Sequence, residues 1–210
     1  VLQRSLIVLD TETSGLRPED GCEVIQICAK ALNYWDFSDH PAGKFHAYLK
    51  PQRPDKAQAG ALRVIGEGWT TAQTKGLEHK VVWKNFHSWV SSVNDGKSFK
   101  TAPIVVAYNA AFDMRFIEYH MNEHRLLKEG KFGPEYPWGF VFDAMGVAYM
   151  LLESHPDITD LKLNTILNMF HIERENADVH SAEEDVDLLC EWLIRAMNFC
   201  RKCRKNMVIK

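Results

Sequence analysis

The sequence predicts an α/β fold on a mixed β-sheet, in which three antiparallel strands come first and parallel strands flanked by helices follow. Three observations support this prediction. Residues 5–9 are mostly large and apolar, as in a buried strand. Two segments of alternating polarity, residues 23–32 and 44–49, follow as its antiparallel partners. After residue 100, short apolar runs alternate with helical patterns, which is typical of parallel strands joined by helices.

The composition is that of an ordinary globular protein. The chain has 210 residues, of which 46% are hydrophobic and 25% charged, so we expect one domain over residues 1–210 with a short basic tail from about residue 201. No apolar run approaches a membrane span and the start lacks a signal-peptide pattern, so no membrane partner is expected. The net charge of −3 argues against a surface that binds nucleic acid throughout, but allows a local basic track. The odd number of five cysteines favours reduced thiols and a cytoplasmic, reducing location.

The first half of the chain continues from the opening strand through a polar turn. Residues 36–43 contain Pro41 and Gly43 and are predicted to form the hairpin loop between the second and third strands. An irregular stretch rich in Pro and Gly holds one short helix at about residues 59–65. Apolar residues spaced three and four apart predict an amphipathic helix over residues 83–93.

The second half alternates strands with helices. The predicted elements are a strand at 104–107, a helix at 110–127, a strand at 140–142, a helix to about 153, a helix at 161–170 and a last helix at 182–201. His40 falls in the hairpin loop, and His120 and His124 are four residues apart on a helix. Because no third metal ligand is evident beside them, all three histidines are expected at the surface.

The opening strand ends in two carboxylates, Asp10 and Glu12. Residues i and i+2 of a strand point to the same face, so both acids can aim at one point. Two anions at a buried edge are costly unless a cation lies between them, and a hard divalent metal prefers oxygen ligands. On these residues alone, two solvated acids at a strand end are an equally good interpretation.

Further acidic groups fall at the predicted starts of two helices. Asn109 can cap the helix at 110–127, which places Asp113 in its first turn. In the last helix, Ser181-x-x-Glu184 fits a capping box, so His180 lies just outside the helix and Asp185 about one turn inside it. Acids that only complement the helix dipole are the alternative explanation at both places.

Taken together, three segments resemble a known family. LDTETSGL at residues 9–16, YNAAFD at 108–113 and HSAEED at 180–185 resemble the three motifs of the DEDDh 3′–5′ exonucleases. That family includes the proofreading subunit of bacterial DNA polymerase III, ribonuclease T and oligoribonuclease, and the resemblance implies a ribonuclease-H-like sheet. Tyr108 stands where the family commonly has His, and Ile65-Gly66 where many members have His-Gly. These differences leave the substrate preference open.

The resemblance also implies roles for individual residues. Two divalent cations, Mg²⁺ or Mn²⁺, are expected on four carboxylates, with a histidine as the general base that takes a proton from water. Substrate contacts are expected from small residues after the first strand and from residues near the other motifs. The metal ligands are Asp10, Glu12, Asp113 and Asp185, the base is His180, and the substrate contacts are Thr11, Thr13, Gly15, Leu16, Ile65, Asn109 and Phe112.

The function predicted from this resemblance is the removal of 5′-mononucleotides from the 3′ ends of single-stranded DNA, in proofreading or trimming. The partner is therefore a nucleic acid with a 3′ end, and the chain is expected as a homodimer or a polymerase-associated subunit. Three alternatives remain: an exoribonuclease that trims RNA 3′ ends, a catalytically idle nucleic-acid-binding module of the same fold, and a metal-dependent phosphotransferase or endonuclease.

Overall fold

The computed structural model describes residues 4–94, 100–127, 138–174 and 180–206, with side chains as far as residue 203. Its centre is a five-stranded sheet with the order β3-β2-β1-β4-β5. The first strand is central: it pairs antiparallel with β2 and parallel with β4, which confirms the predicted mixed sheet. The strands are β1 Ser5–Thr13, β2 Val24–Asn33, β3 Asp39–Tyr48, β4 Ile104–Ala107 and β5 Phe140–Asp143.

Seven α-helices in the described part of the chain flank the sheet. They are α1 Ala59–Ile65, α2 Glu67–Lys75, α3 His79–Val93, α4 Ala110–Glu123, α5 Ala144–Leu152, α6 Leu163–Met169 and α7 Ala182–Asn206. Among the described residues, none of these helices is long and apolar enough to cross a membrane.

The two faces of β1 pack into different cores. Ile7 and Leu9 belong to the core that includes α3 and α4, whereas Leu6 and Val8 belong to the core that includes α7. A strand buried on both faces reads as a continuous apolar run, which is why residues 5–9 lack alternation. The even-numbered positions continue into the two carboxylates, so the strand period carries both towards the side of the sheet covered by α7.

The hairpin between β2 and β3 is shorter than predicted. β3 begins at Asp39, so Pro41 and Gly43 lie within the strand and not in a loop. Proline is tolerated there because β3 is an edge strand with one free side. Gly43 has a φ of 64°, and the β2–β3 register shifts nearby, between Lys30 and Leu32. The turn residues predicted as a loop thus form an irregular edge strand.

Other boundaries also differ from the predictions. The helix α2 was not predicted, α3 starts four residues earlier than expected, at His79, and α7 continues to Asn206. The prediction that His40 and His120 lie at the surface is wrong, since the exposed fraction is 5% for His40 and 0% for His120. His120 lies about two turns after Asp113 on the buried stripe of α4, and its ring stacks on Trp83 with centroids 5.7 Å apart.

Candidate active site

The end of β1 carries two carboxylates into a site that is largely closed to water. Asp10 is half-buried and Glu12 is buried. Burial raises the pKa of Asp10 to about 7. Burial and the neighbouring Asp10 charge raise the pKa of Glu12 to about 8. Both groups are therefore costly as free anions, which is the situation that a bound cation would relieve.

Asp113 joins them from the first turn of α4. It is buried, and its Oδ1 accepts hydrogen bonds from the Thr11 backbone N–H at 3.0 Å and from Thr11 Oγ1 at 2.7 Å. Burial, followed by the charge of Asp10, raises the pKa of Asp113 well above its usual value. Because these hydrogen bonds come from the residue between Asp10 and Glu12, the start of α4 is fixed directly to the end of β1.

Asn109 stands at the N-cap position of α4, as predicted, but it acts through its backbone. Its φ of 60° and ψ of 50° place it in the left-handed region, and no side-chain capping bond forms within the described residues. Its backbone N–H instead donates to Asp143 Oδ1 at 3.0 Å. The chain turns sharply here, from β4 into α4, and this turn delivers Asp113 to the site.

The start of α7 supplies the remaining acid and the histidine. His180 Nδ1 lies 3.3 Å from Asp185 Oδ2, and one ligand atom each from Glu12, His180 and Asp185 lie within 4.8 Å of one another. The backbone N–H of His180 donates to the Val64 carbonyl at 3.0 Å, which ties it to α1. Burial, and then the positive charge of Arg174, lower the pKa of His180.

Arg174 is a site residue that the sequence did not reveal. Its buried guanidinium forms an ion pair with Asp185, and its Nη1 lies 3.2 Å from His180 Nδ1. Its charge also lowers the pKa values of Asp10 and Glu12 against the larger effect of burial. No motif marks this residue, because it is a lone arginine between α6 and α7.

The residues present fit a divalent metal centre. The donor set is four carboxylates, whose oxygens suit hard cations such as Mg²⁺ and Mn²⁺. The guanidinium of Arg174 stands among them as a cation and pairs with Asp185 Oδ1, so a positive charge already lies where these acids meet. The acids that could hold a metal are Asp10, Glu12, Asp113 and Asp185.

A cleft of about 370 Å³ opens beside Glu12. It runs between the segment after β1, the helix α1 and the start of α4, and its walls are mainly apolar. Five of the predicted substrate-contact residues line it, including Thr11, which also holds Asp113. The lining residues are Thr11, Glu12, Thr13, Gly15, Leu16, Gln58, Gly60, Ala61, Val64 and Phe112.

The hydroxyl groups of Thr11 and Thr13 donate hydrogen bonds within the protein, while both residues line the cleft. Thr11 Oγ1 donates to Asp113, and Thr13 Oγ1 donates to the Gly15 carbonyl at 2.7 Å. Both hydroxyls hold the site in shape. Ile65 is 2% exposed and packs in a small core with Ile25, so the predicted contact there is corrected. Val64, one helical position earlier, faces the cleft because successive residues of α1 point about 100° apart.

Comparison with known proteins assigns the chain to a family. A model of the family described as Exonuclease (RNase_T) matches residues 7–193, nearly the whole chain. The chain belongs to this exonuclease family. The resemblance to DEDDh exonucleases seen in the three sequence motifs is thereby confirmed, and the protein is an enzyme of that class.

The relatives of this exonuclease family member fall into two groups by name. DNA polymerase III subunit epsilon of Rickettsia typhi is 25% identical over 186 residues, covering 88% of this chain and 70% of the relative. Ribonuclease T of Vibrio campbellii is 28% identical over 130 residues, covering 61% of this chain and 59% of the relative.

Solved structures of the family share the fold. Exonuclease I of E. coli in complex with a dT13 oligonucleotide superposes with a TM-score of 0.70 at 20% identity, over 92% of this chain and 41% of that one. The nuclease domain of 3′hExo, a DEDDh family member bound to rAMP, superposes with a TM-score of 0.67 at 16% identity, over 93% and 92% of the two chains. The chain thus spans less than half of Exonuclease I but nearly all of the 3′hExo nuclease domain.

Proposed function

We propose that the protein is a metal-dependent 3′–5′ exonuclease that removes 5′-mononucleotides from single-stranded DNA. The observation that carries this proposal is the convergence of acids from β1, α4 and α7 with His180, at one end of a cleft. The four acids come from three separate parts of the chain, and their mutual repulsion is unfavourable unless they bind cations.

Asp10, Glu12, Asp113 and Asp185 would hold two divalent cations. When bound, these ions neutralise charge on the attacking and leaving oxygens of a phosphodiester. The chain's own contribution is to fix the ligands. The bonds from Thr11 to Asp113 join α4 to β1, and the Glu12–Asp185 approach joins β1 to α7.

His180 is the proposed general base. Its lowered pKa keeps the imidazole neutral near neutral pH, so that it can accept a proton. Water attacks phosphorus and gives its proton to His180, the bond from phosphorus to the 3′-oxygen of the preceding nucleotide breaks, and that oxygen gains a proton from solvent. The Val64 carbonyl holds the His180 backbone, so the base is anchored beside the cleft.

The cleft is the proposed seat of the terminal nucleotide. Leu16, Val64 and Phe112 offer apolar surface to a base, a contact that does not depend on sequence. Leu16 is 68% exposed, so its side chain is accessible to a base in the cleft. The backbone at Thr13 and Gly15, which line the cleft, would contact the 3′-hydroxyl of that nucleotide.

Trimming of RNA 3′ ends is the second candidate. Relatives named ribonuclease T and a DEDDh nuclease domain bound to rAMP favour it, whereas the epsilon subunits and the complex with dT13 favour DNA. We favour DNA because the epsilon relatives align over 88% of this chain, against 61% for ribonuclease T. The same similarity supports a role as a polymerase-associated subunit.

Degradation of end-labelled oligonucleotides tests the proposal. Single-stranded DNA and RNA of one sequence, labelled at the 5′ end, are incubated with the protein and Mg²⁺, Mn²⁺ or chelator. We expect a ladder that shortens from the 3′ end, is abolished by chelator and develops faster on DNA. No cleavage with either metal would rule the activity out, and faster cleavage of RNA would favour the second candidate.

His180→Ala separates the base from the metal ligands. We expect a loss of about 10²–10⁴-fold in turnover with Mn²⁺ binding retained, because a general base contributes that much. His155→Ala is the matched control, since His155 is exposed and lies in the turn after α5. A His180 variant with nearly the wild-type rate would show that another group takes the proton.

A further inference from the structure

Gln26 is a buried amide at the junction between the sheet and α7. It lies on β2 directly opposite Glu12 in the antiparallel register, and 1% of it is exposed. Directly opposite residues of antiparallel strands share a face. The Gln26 side chain therefore lies beside Glu12, on the side of the sheet that α7 covers.

Every hydrogen-bonding group of this amide meets a partner except one acceptor site on its oxygen. Oε1 accepts from the backbone N–H of Ala182 at 3.2 Å. Nε2 donates to Ser181 Oγ at 3.3 Å and lies 2.8 Å from His46 Nε2. The N–H of Ala182 is one of the first amides of α7, which have no partner inside their own helix. A side chain from β2 thus satisfies one amide at the start of α7, in addition to the capping box that the sequence predicted for Ser181 and Glu184.

The orientation of the amide follows from these partners. A reversed amide would put its NH₂ group against the Ala182 N–H, donor against donor. The amide nitrogen of Gln26 is therefore the group that faces His46, and it donates a hydrogen bond to His46 Nε2. As an acceptor, His46 Nε2 carries no hydrogen, so the imidazole hydrogen is on Nδ1. Since His46 lies on β3, the bonds of Gln26 to His46, Ser181 and Ala182 form one network that joins β2, β3 and the start of α7.

We infer that Gln26 is a positioning residue for the active site, an inference that rests on the proposed function. It fixes the start of α7 against the strand pair that bears Glu12, and so sets the distance from Glu12 to Asp185 and His180. Those three groups have ligand atoms within 4.8 Å of one another, so a small shift of α7 opens the site. Gln26 acts through the helix and touches neither metal nor substrate.

Gln26→Met is the decisive variant, because Met is of similar length and has no amide. We expect turnover to fall about 10–100-fold and Mn²⁺ affinity, measured by electron paramagnetic resonance on the metal alone, to weaken by about the same factor. The KM for single-stranded substrate should stay within about twofold, since no cleft contact is lost. A purely structural role would lower Tm and leave Mn²⁺ affinity intact.

Two further variants keep the test sharp. Asp187→Asn breaks the ion pair with Lys44, at 2.8 Å in the same junction but away from the helix start, and should leave turnover and Mn²⁺ affinity unchanged. If Gln26→Met fails to fold, Gln26→Asn keeps an amide but is too short to span its partners, and should weaken Mn²⁺ binding as well. A folded Gln26 variant with turnover and Mn²⁺ affinity within about twofold of wild type overturns the inference. A wild-type protein that neither binds Mn²⁺ nor cleaves contradicts the proposed function itself.

Discussion

At the scale of single residues, the site holds several acidic side chains close together in a largely buried space. Asp10 and Glu12 have raised pKa values of about 7 and 8, and Asp113 is raised as well. An acid with a raised pKa in the folded state costs stability as pH rises, because the unfolded chain loses its proton first. The metal-free protein is therefore destabilised at the acids that we propose as metal ligands.

Asp10→Asn should relieve this destabilisation while removing activity. At about pH 8, above the folded pKa of about 7, the metal-free variant should be more stable than wild type by at least about 1 kcal/mol, or roughly 2–4 °C in Tm. The difference should shrink as pH falls towards the unfolded pKa of 3.8. Thermal unfolding in chelator measures it, with the surface change Asp187→Asn as control. A less stable Asn variant at pH 8 would contradict the argument.

Arg174→Met tests how the arginine and the metal share the carboxylates. The guanidinium pairs with Asp185, so its removal should tighten Mn²⁺ binding several-fold by ending the competition. Without metal, the variant should lose about 1–3 kcal/mol, since a buried charge loses its partner. Mn²⁺ titration and thermal unfolding in chelator measure the two effects.

Arg115→Met is the control for that change. Arg115 pairs with Glu19 at 2.8 Å on the exposed surface, where such a pair contributes about 0–1 kcal/mol. It should change neither measurement. Weaker Mn²⁺ binding in the Arg174 variant would mean that the arginine supports the metal site.

At the scale of elements, the site depends on how the segment after β1 meets α1. The Ser14 carbonyl accepts from the Gln58 N–H at 2.7 Å, and Ser14 also exchanges bonds with Glu23 on both its N–H and its hydroxyl. Gly15 lies inside this contact, and a Cβ there would come within 2.4 Å of Cys22 Sγ and 2.7 Å of Gln58 Cδ. The close approach of Cys22 and Gln58 to the Gly15 backbone explains why this position has no side chain, since its φ is not in the left-handed region.

Gly15→Ala should therefore move the wall of the cleft. Gln58 can swing aside but Cys22 is buried, so we expect a loss of about 1–3 kcal/mol and a raised KM. Gly146→Ala in α5 is the control, because its Cβ would meet nothing within 4 Å and should stabilise by about 0.5–1 kcal/mol. Urea unfolding and steady-state kinetics give both numbers; an unchanged KM would show that the segment does not shape the cleft.

At the scale of the whole molecule, buried polar groups connect the site to the core that includes α3 and α4. Glu23 is fully buried behind the Ser14 turn and accepts hydrogen bonds from the N–H groups of Gln52 and Arg53. His79 Nε2 on α3 lies 3.8 Å from Glu23 Oε1, and the His79 ring contacts that of His120 on α4. The same core thus supports the start of β2 and the helix that carries Asp113.

This cluster predicts a loss of stability in acid. Burial, followed by the charges of His120 and His124, lowers the pKa of His79 to about 4, while Glu123 opposes the shift. The unfolded chain binds a proton at His79 near pH 6.5 and the folded one only near 4, so the contribution of His79 to stability falls as pH drops between these values, by about 3 kcal/mol. His79→Leu should flatten this dependence in urea unfolding, and His155→Gln should not. Equal slopes for wild type and His79→Leu would refute the prediction.

The sequence determined the elements whose signals are local. The apolar run of β1 predicted the central strand, and three motifs at the ends of elements predicted the acids and the histidine that the fold brings to one place. Family membership followed from the same motifs. Spacing along a strand or a helix start is a local property, so these predictions needed no knowledge of the packing.

The partner that each side chain meets depends on the three-dimensional packing of the chain. The packing places Arg174 among the acids and buries His120. It also places Ile65 in a small core and orients Val64 towards the cleft. It also gave the start of α7 a partner from β2, 156 residues away along the chain. These contacts join residues distant in sequence, and their energies depend on burial and on neighbouring charge. Hydrophobic periodicity and motif spacing do not specify the burial of a residue or the charges of its neighbours.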